Sequence, residues 1–578
     1  MKIFSQTPDS ENRPLAMRRI LLYDKKNPPQ GKNPLRLRGA AMKKRIQKNK
    51  PGWDWRGAVT PAVRWAFLCC FAAGFFAHLF AFTNIIPNSD GISRVSDPQQ
   101  MTVSGRWFLH YATMWNGYIQ APAVIGFFSL LFLSLSAALT VQLLRVQSPV
   151  IGGLCGALMS VFPSVAYTFL YLFTASAYFF GLLFAVLAVW LTHKYRLGFL
   201  PGAVLLACAV GTYQAYLAAA ASLALILVIL AGLEGKRSGK ELLCFGLRFL
   251  GMLALGMLLY FGLLKLFLTV KHLQLLDYKG ISALGSDITL QGILSLLWLT
   301  YKRFVQYFFT GSFAHYTTPA AIAANVVMAA AGLWAFVRLI RKNRCWQKPA
   351  AFVLTLCLCC LLPLALNLTV MMGEAMPIMR YALVFAYVLA LALVDRAGER
   401  PRREQKSPKP VLVLRLTGVV AALLLTLISF NVDNLAYTVS AQAHRATLSF
   451  ATRLVDRVES TPGYQKGMEV VVIGGFPRNV YYADIEAYEL VEDYSNYSSS
   501  VIPRNKHVYY YLNDWLNVPW QEPTEETMIA VSDSSEFRAM PLYPDDGSIR
   551  ILNGRVIVKL ASKYKPKQPY EIQYENRR

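Results

Sequence analysis

Apolar runs long enough to cross a bilayer recur about eleven times along this chain, and no other feature so limits what it can fold into. A membrane-spanning helix needs roughly 20 mostly apolar residues to bridge about 30 Å of hydrocarbon. Candidate runs lie near residues 65–83, 119–144, 149–166, 168–192, 197–213, 214–233, 245–270, 318–340, 350–370, 379–395 and 411–431. Several are parted only by a proline or a polar pair, so the count is good to one or two. Composition agrees: 55% of the 578 residues are hydrophobic and 16% charged, and the mean hydropathy is +0.35, too apolar for a soluble chain of this length. The reading is an α-helical polytopic membrane protein. Residues 1–64 form a polar, basic tail without the apolar h-region of a cleavable signal peptide, and residues 65–431 carry the spans.

A formal charge of +26 raises the question of nucleic acid, and its distribution answers it. Lys and Arg gather in the N-terminal tail, in "HKYR" at 193–196, "EGKRSGK" at 234–240, "RKNRCWQK" at 341–348 and "DRAGERPRREQKSPK" at 395–409. All fall on one side if the spans alternate, which is the positive-inside pattern and places the N-terminus in the cytoplasm. The basic tail is then a topology signal that also meets lipid headgroups, and nucleic acid is not an expected partner. The loop 84–118, the segments 211–216, 271–317 and 371–380, and everything past about 431 are expected outside the cytoplasm. All nine cysteines lie between Cys69 and Cys360, in spans or cytoplasmic loops, so no disulfide is expected in the exported parts.

Residues 432–578 differ in character from the spans. "YTVSAQAHRATLSFATRLVDRVE" has helical spacing, and "GMEVVVIGG" reads as a buried strand. "SIRILNGRVIVKL" places Asn553-Gly554 between alternating β-branched runs, the signal of a type I′ hairpin. Together they predict a small α/β domain outside the cytoplasm.

The loop after the first span, "IIPNSDGISRVSDPQQMTVSGRWF", carries Asp90, Arg94, Asp97 and Arg106. Sugar transfer from a lipid phosphate needs a carboxylate to accept the proton of the incoming hydroxyl and cations to hold the departing phosphate. Asp90 is the candidate base; Arg94, Arg106 and Arg380, the last at the outer end of a later span, are candidate phosphate partners. Gln214 is an amide at a depth where it needs partners, whereas Tyr213 beside it also fits an interfacial aromatic belt. Glu374 is a reserve carboxylate in an outer loop. Lys302 and Arg303 have the look of snorkelling cations on an interfacial segment. His272 and His444 lack zinc-ligand spacing.

"PNSDGISR", then "SGRWF", "FPSVAYTFLYLFTASAY", "GTYQAYL", "MPIMRY" and "NVDNLAY" resemble, in order, the landmarks of the bacterial type II membrane glucosyltransferase family. The likeness runs from about residue 60 to 475. It implies a GT-C-like fold and an inverting enzyme that takes glucose, or a similar hexose, from a polyprenyl-phosphate carrier. The acceptor would be a cell-envelope polysaccharide or glycolipid at the outer face of the cytoplasmic membrane. By the same resemblance Asp90 is the catalytic base, and Arg94, Arg106, Trp107, Ser176, Tyr213, Gln214 and Arg380 bind substrate. One position departs: where T-A-D-x-Y is expected, "TASAY" puts Ser176 in place of the acid. No cofactor is expected, with a divalent cation left open. The rival readings are a transporter or flippase of lipid-linked sugars and an envelope-glycan polymerase or ligase. Transporters often show inverted repeats, and none is visible here.

The charge pattern makes a topological prediction. Cysteine-labelling reporters placed at 235 and 402 should be protected from an impermeant reagent, and reporters at 90 and 500 should react with it. Labelling at 402 in sealed cells would invert the arrangement.

Overall fold

The computed structural model describes residues 59–88, 90–92, 96–275, 289–312, 314, 316–369, 376–398, 409–476, 486–491, 494, 502 and 505–566. The chain is mostly helical. In order, the main helices are α1 (Pro61–Thr83), α2 (Pro122–Leu143), α3 (Pro149–Val161), α4 (Pro163–Leu170), α5 (Leu172–Lys194), α6 (Phe199–Thr212) and α7 (Tyr216–Leu233). There follow α8 (Gly239–Val270), α9 (Leu290–Val305), α10 (Pro319–Asn343), α11 (Pro349–Leu366), α12 (Val384–Ala397) and α13 (Lys409–Glu459).

Among the described residues, nine helical segments are long and apolar enough to cross a membrane, with α3 and α4 counted as one, and this is consistent with a multi-pass membrane protein. The difference from eleven has a simple origin. Helix α6 is apolar but only 14 residues long, and the run expected at 379–395 begins with two 3-10 turns, leaving α12 also at 14 residues. Fourteen residues of helix reach about 21 Å, short of the hydrocarbon thickness.

Proline sets the most consequential break in the bundle. Pro163 pushes Phe162 to an extended ψ of 133° and ends α3, because the residue before proline is disfavoured in the helical region. Proline also lacks the N–H that would have met the Met159 carbonyl. The carbonyls exposed by the break are taken up by side chains from elsewhere. Tyr381 Oη donates to the Met159 carbonyl at 3.1 Å, and His78 Nε2 to the Ser160 carbonyl at 2.8 Å. With Nε2 committed as donor, His78 Nδ1 is the acceptor of the Tyr437 hydroxyl at 2.8 Å. In this way α1, the 3-10 turn Tyr381–Leu383 that leads into α12, and α13 are tied to the break. Nearby, Gly152 and Gly156 on α3 let α1 approach so closely that a Cβ at either would lie 2.4 or 2.1 Å from the Ala62 or Ala66 carbonyl.

The basic loops converge at one end of the bundle. Glu234, just past α7, pairs with Arg145 and Arg396, each at 3.5 Å. Asp395, fully buried, accepts from the Gln147 and Ser148 N–H groups at 2.6 and 3.4 Å and pairs with Arg415 at 3.4 Å. Helix ends from α2, α7, α12 and α13 are fastened there.

At the opposite end the chain builds a second core. Helix α13 is 51 residues long and passes without interruption through residue 432, where the sequence suggested a change of domain. No Gly or Pro occurs between Asn431 and Ser460 to stop it. Its C-terminal half packs with α14 (Asn505–Leu516), α15 (Glu525–Asp533), α16 (Ser535–Ala539) and a three-stranded sheet. The sheet has β1 (Val470–Ile473) parallel to β3 (Arg555–Lys559), with β2 (Ile549–Leu552) antiparallel on the far side of β3. The β2–β3 turn is Asn553-Gly554 with φ of 50° and 75°, both in the left-handed region that a type I′ turn requires.

The two ion-paired sites at the basic end predict unequal costs. Asp395→Ala strands Arg415 and two N–H groups in a buried place and should destabilise the protein by about 2–4 kcal/mol. Arg145→Ala, at an exposed pair, should cost below about 1 kcal/mol. Thermal unfolding of the two variants in detergent measures the contrast, and equal midpoints would contradict it.

Candidate functional site

The segment between α1 and α2 is folded onto the bundle, and its fastenings explain its shape. Asp97 N–H bonds to the Tyr118 carbonyl at 2.8 Å, bringing the two ends of the loop together beside the Ser96–Ile119 bridge. Between them run a 3-10 turn at Thr102–Ser104 and a helical turn at Leu109–Ala112. Gly105, at φ 81°, reverses the chain after the first of these.

Gly105, Arg106 and Trp107 are clamped from below. Gln214 Nε2 donates to the Ser104 carbonyl at 3.0 Å, Tyr260 Oη to the Gly105 carbonyl at 3.1 Å, and Phe108 N–H to the Gly211 carbonyl at 2.9 Å. A Cβ on Gly105 would stand 2.7 Å from both the Gln214 amide nitrogen and the Tyr260 hydroxyl, so the clamp admits glycine alone. Trp107 is buried, its ring stacked on Phe267 at 5.4 Å, and Gly211 leaves room for the indole. Trp107 therefore anchors the loop by packing.

Arg106 emerges from this clamp half-buried. Its Nη1 donates to the Tyr178 hydroxyl at 3.0 Å, and its guanidinium lies 5.1 Å from the centroid of the Tyr213 ring. Tyr178 and Tyr213 stack at 4.5 Å, so the guanidinium rests on a rigid aromatic pair. Asp90 is exposed on its own turn, where Asn88 Oδ1 accepts from the Asp90 and Gly91 N–H groups at 2.9 and 2.8 Å. Asp90 lies within electrostatic reach of Tyr178 and of Tyr171, and Arg106 acts on the same Tyr178 hydroxyl. A carboxylate and a guanidinium thus both act on one tyrosine hydroxyl, that of Tyr178.

The other expected residues fall in three groups. Arg380 is buried and lies by a second aromatic cluster, acting electrostatically on Tyr307, which neighbours Tyr316 at 6.1 Å. A row of rings joins the two patches: Tyr171 with Tyr167 at 5.7 Å, Tyr167 with Tyr494 at 5.4 Å, and Tyr494 with Tyr316 at 6.0 Å. Ser176 is buried on α5 with no hydrogen-bond partner for its Oγ. It precedes Tyr178 by two residues, and i,i+2 positions do not share a helix face. Arg94 and Glu374 lie outside the described residues.

Two further placements refine the sequence reading. Asp97 is buried, accepts from the Gln99 N–H at 2.9 Å and lines a small cleft with Asn116, Tyr118 and Phe173. Arg303 Nη1 donates to Gln306 Oε1 at 3.2 Å at the end of α9. Among the described residues no three His, Cys, Asp or Glu side chains come together as a metal site.

Sequence reasoning missed Asn88, Tyr178 and Tyr260. Tyr260 carried a usable signal, since a phenol in the middle of "MLLYFGLL" needs a partner for its hydroxyl. Asn88, two residues before Asp90, fits the Asx-turn pattern.

Comparison with known proteins adds the family. Neither the curated proteins nor the solved structures gave a match to the chain. The family model described as Glucosyl transferase GtrII matches residues 79–394, a region that holds Asp90, the Arg106 clamp, Tyr178, Gln214 and Arg380. This chain belongs to the GtrII glucosyl transferase family.

Proposed function

We propose that the protein is an inverting, GT-C-like glucosyltransferase that moves glucose from a polyprenyl-phosphate carrier to an envelope polysaccharide or glycolipid. The reaction would take place on the outer side of the cytoplasmic membrane. The observation that supports this reading is that Asp90 and an arginine held on stacked tyrosines both act electrostatically on the Tyr178 hydroxyl, at the bundle end away from the basic loops. If the positive-inside rule assigns those loops to the cytoplasm, the Asp90 end faces outward.

The roles follow from charge. The acceptor hydroxyl attacks the anomeric carbon while Asp90 takes its proton. The bond from the anomeric carbon to the carrier phosphate breaks, and its electron pair stays on the phosphate oxygen. Arg106 stabilises that charge near Asp90, and Arg380 supports the carrier phosphate from the neighbouring aromatic patch. One displacement inverts the anomeric configuration. The carrier phosphate is the leaving group, so no nucleotide is needed. Tyr213 and Gln214 serve the site by carrying the guanidinium and the loop backbone, and the C-terminal region helps bind acceptor.

Two predictions test the assignment. Asp90→Asn keeps the size of the side chain but cannot accept the proton, so transfer from polyprenyl-phosphate glucose should fall roughly 10²–10⁴-fold with little change in unfolding temperature. Asp97→Asn retains an oxygen to accept the Gln99 N–H and should lose far less. Intact turnover in Asp90→Asn would remove it as the base.

The second concerns the phosphate. Arg106→Lys keeps the charge but loses the planar fork that bridges the Tyr178 hydroxyl and an anion, and should raise the donor KM more than it alters folding. Wild-type donor kinetics would place the phosphate elsewhere.

A further inference from the structure

Asp90 stands on a short turn whose two ends are fastened to different parts of the molecule. On one side, buried Asn88 caps the turn and its Nδ2 donates to the Leu170 carbonyl at the end of α4, at 2.5 Å. On the other, Ile92 is 4% exposed, yet its side chain belongs to the core built by α13, α14 and the sheet. The Ile92 carbonyl accepts a hydrogen bond from Trp515 Nε1 on α14 at 3.2 Å. The indole is itself held, stacked on Tyr511 at 5.9 Å and met edge-on by His444 at 4.5 Å. Tyr494 adds a second tie, its hydroxyl donating to the Pro163 carbonyl at 3.4 Å.

We propose that Trp515 is a positioning residue for the reaction. Its N–H holds the Ile92 carbonyl and so fixes the angle at which the Asp90 carboxylate meets the incoming hydroxyl. The proposal rests on the reading of Asp90 as the base. Only Gly91 separates Ile92 from Asp90, so a shift of the Ile92 backbone is passed on to the turn that carries the carboxylate. An indole suits the task because it donates only and its wide ring resists rotation between Tyr511 and His444. A general base works only within hydrogen-bond reach of its proton, and small displacements are costly. The family match ends at residue 394, so in this chain the site is completed by a side chain from outside the matched region.

The test uses the full-length protein, polyprenyl-phosphate glucose and an envelope-glycan extract, and follows release of polyprenyl phosphate. Trp515→Phe, and in parallel replacement of the indole by a benzothiophene that keeps its shape but has no N–H, should each lower kcat about tenfold. Donor KM and the unfolding midpoint should be unchanged in the benzothiophene protein. In an Asp90→Asn background the same replacements should cost less than about twofold, because the group they orient is no longer a base. An equal loss in both backgrounds, or no loss in either replacement, overturns the proposal alone. Full turnover in Asp90→Asn by itself overturns the base assignment and this proposal together.

Discussion

A main-chain carbonyl inside an apolar bundle must find a donor, and much of this site is organised by that requirement. At several described points where the chain leaves helical geometry near the site, a side chain from a distant element supplies the missing hydrogen bond. Tyr381 and His78 meet the carbonyls at the Pro163 break. Gln214 and Tyr260 meet those at the Gly105 reversal. Asn88 reaches the Leu170 carbonyl where α4 ends. Each such bond joins two elements far apart in sequence, so the irregular backbone that carries Asp90 and Arg106 is tied to several distant parts of the bundle.

The clamp has a chemical corollary. On the proposed mechanism, an arginine that holds a leaving phosphate gains from losing its mobility before substrate arrives, since preorganised charge costs no reorganisation during reaction. Arg106 is fixed from two sides, by the Tyr178 hydroxyl and the Tyr213 ring, and its backbone is held by the residues flanking it. Arg380 sits by a different set of tyrosines, and the connecting row of rings contains Tyr494 from the C-terminal part of the chain. The two arginines that look equivalent in the sequence therefore occupy distinct surroundings.

What was legible in the sequence follows the range of the interactions involved. Apolar run length and the Asn553-Gly554 turn are local signals, and they located the helices and the β2–β3 hairpin. Local signals also located the charged loop and its Arg106. They could not show that the tail helix continues α13, because continuity is marked only by the absence of Gly and Pro. Nor could they show that Tyr178, two residues after Ser176 in the same motif, receives the Arg106 hydrogen bond, since helical phase decides which side chains share a face. Contacts such as Tyr260 to Gly105 and Trp515 to Ile92 span 155 and 423 residues. No spacing rule reaches that far.

Helix α13 deserves a mechanical reading. At about 1.5 Å per residue its 51 residues make a rod near 76 Å long, more than twice a hydrocarbon thickness, whose first half packs in the bundle and whose second half is the spine of the C-terminal core. Domains joined by a flexible linker move independently, whereas domains sharing one uninterrupted helix do so only by bending it. The hinge that tethered domains possess is missing at this joint, and the relative orientation of the two cores carries the stiffness of the helix itself. Any tilt of the rod within the bundle would appear, magnified by leverage, at its far end.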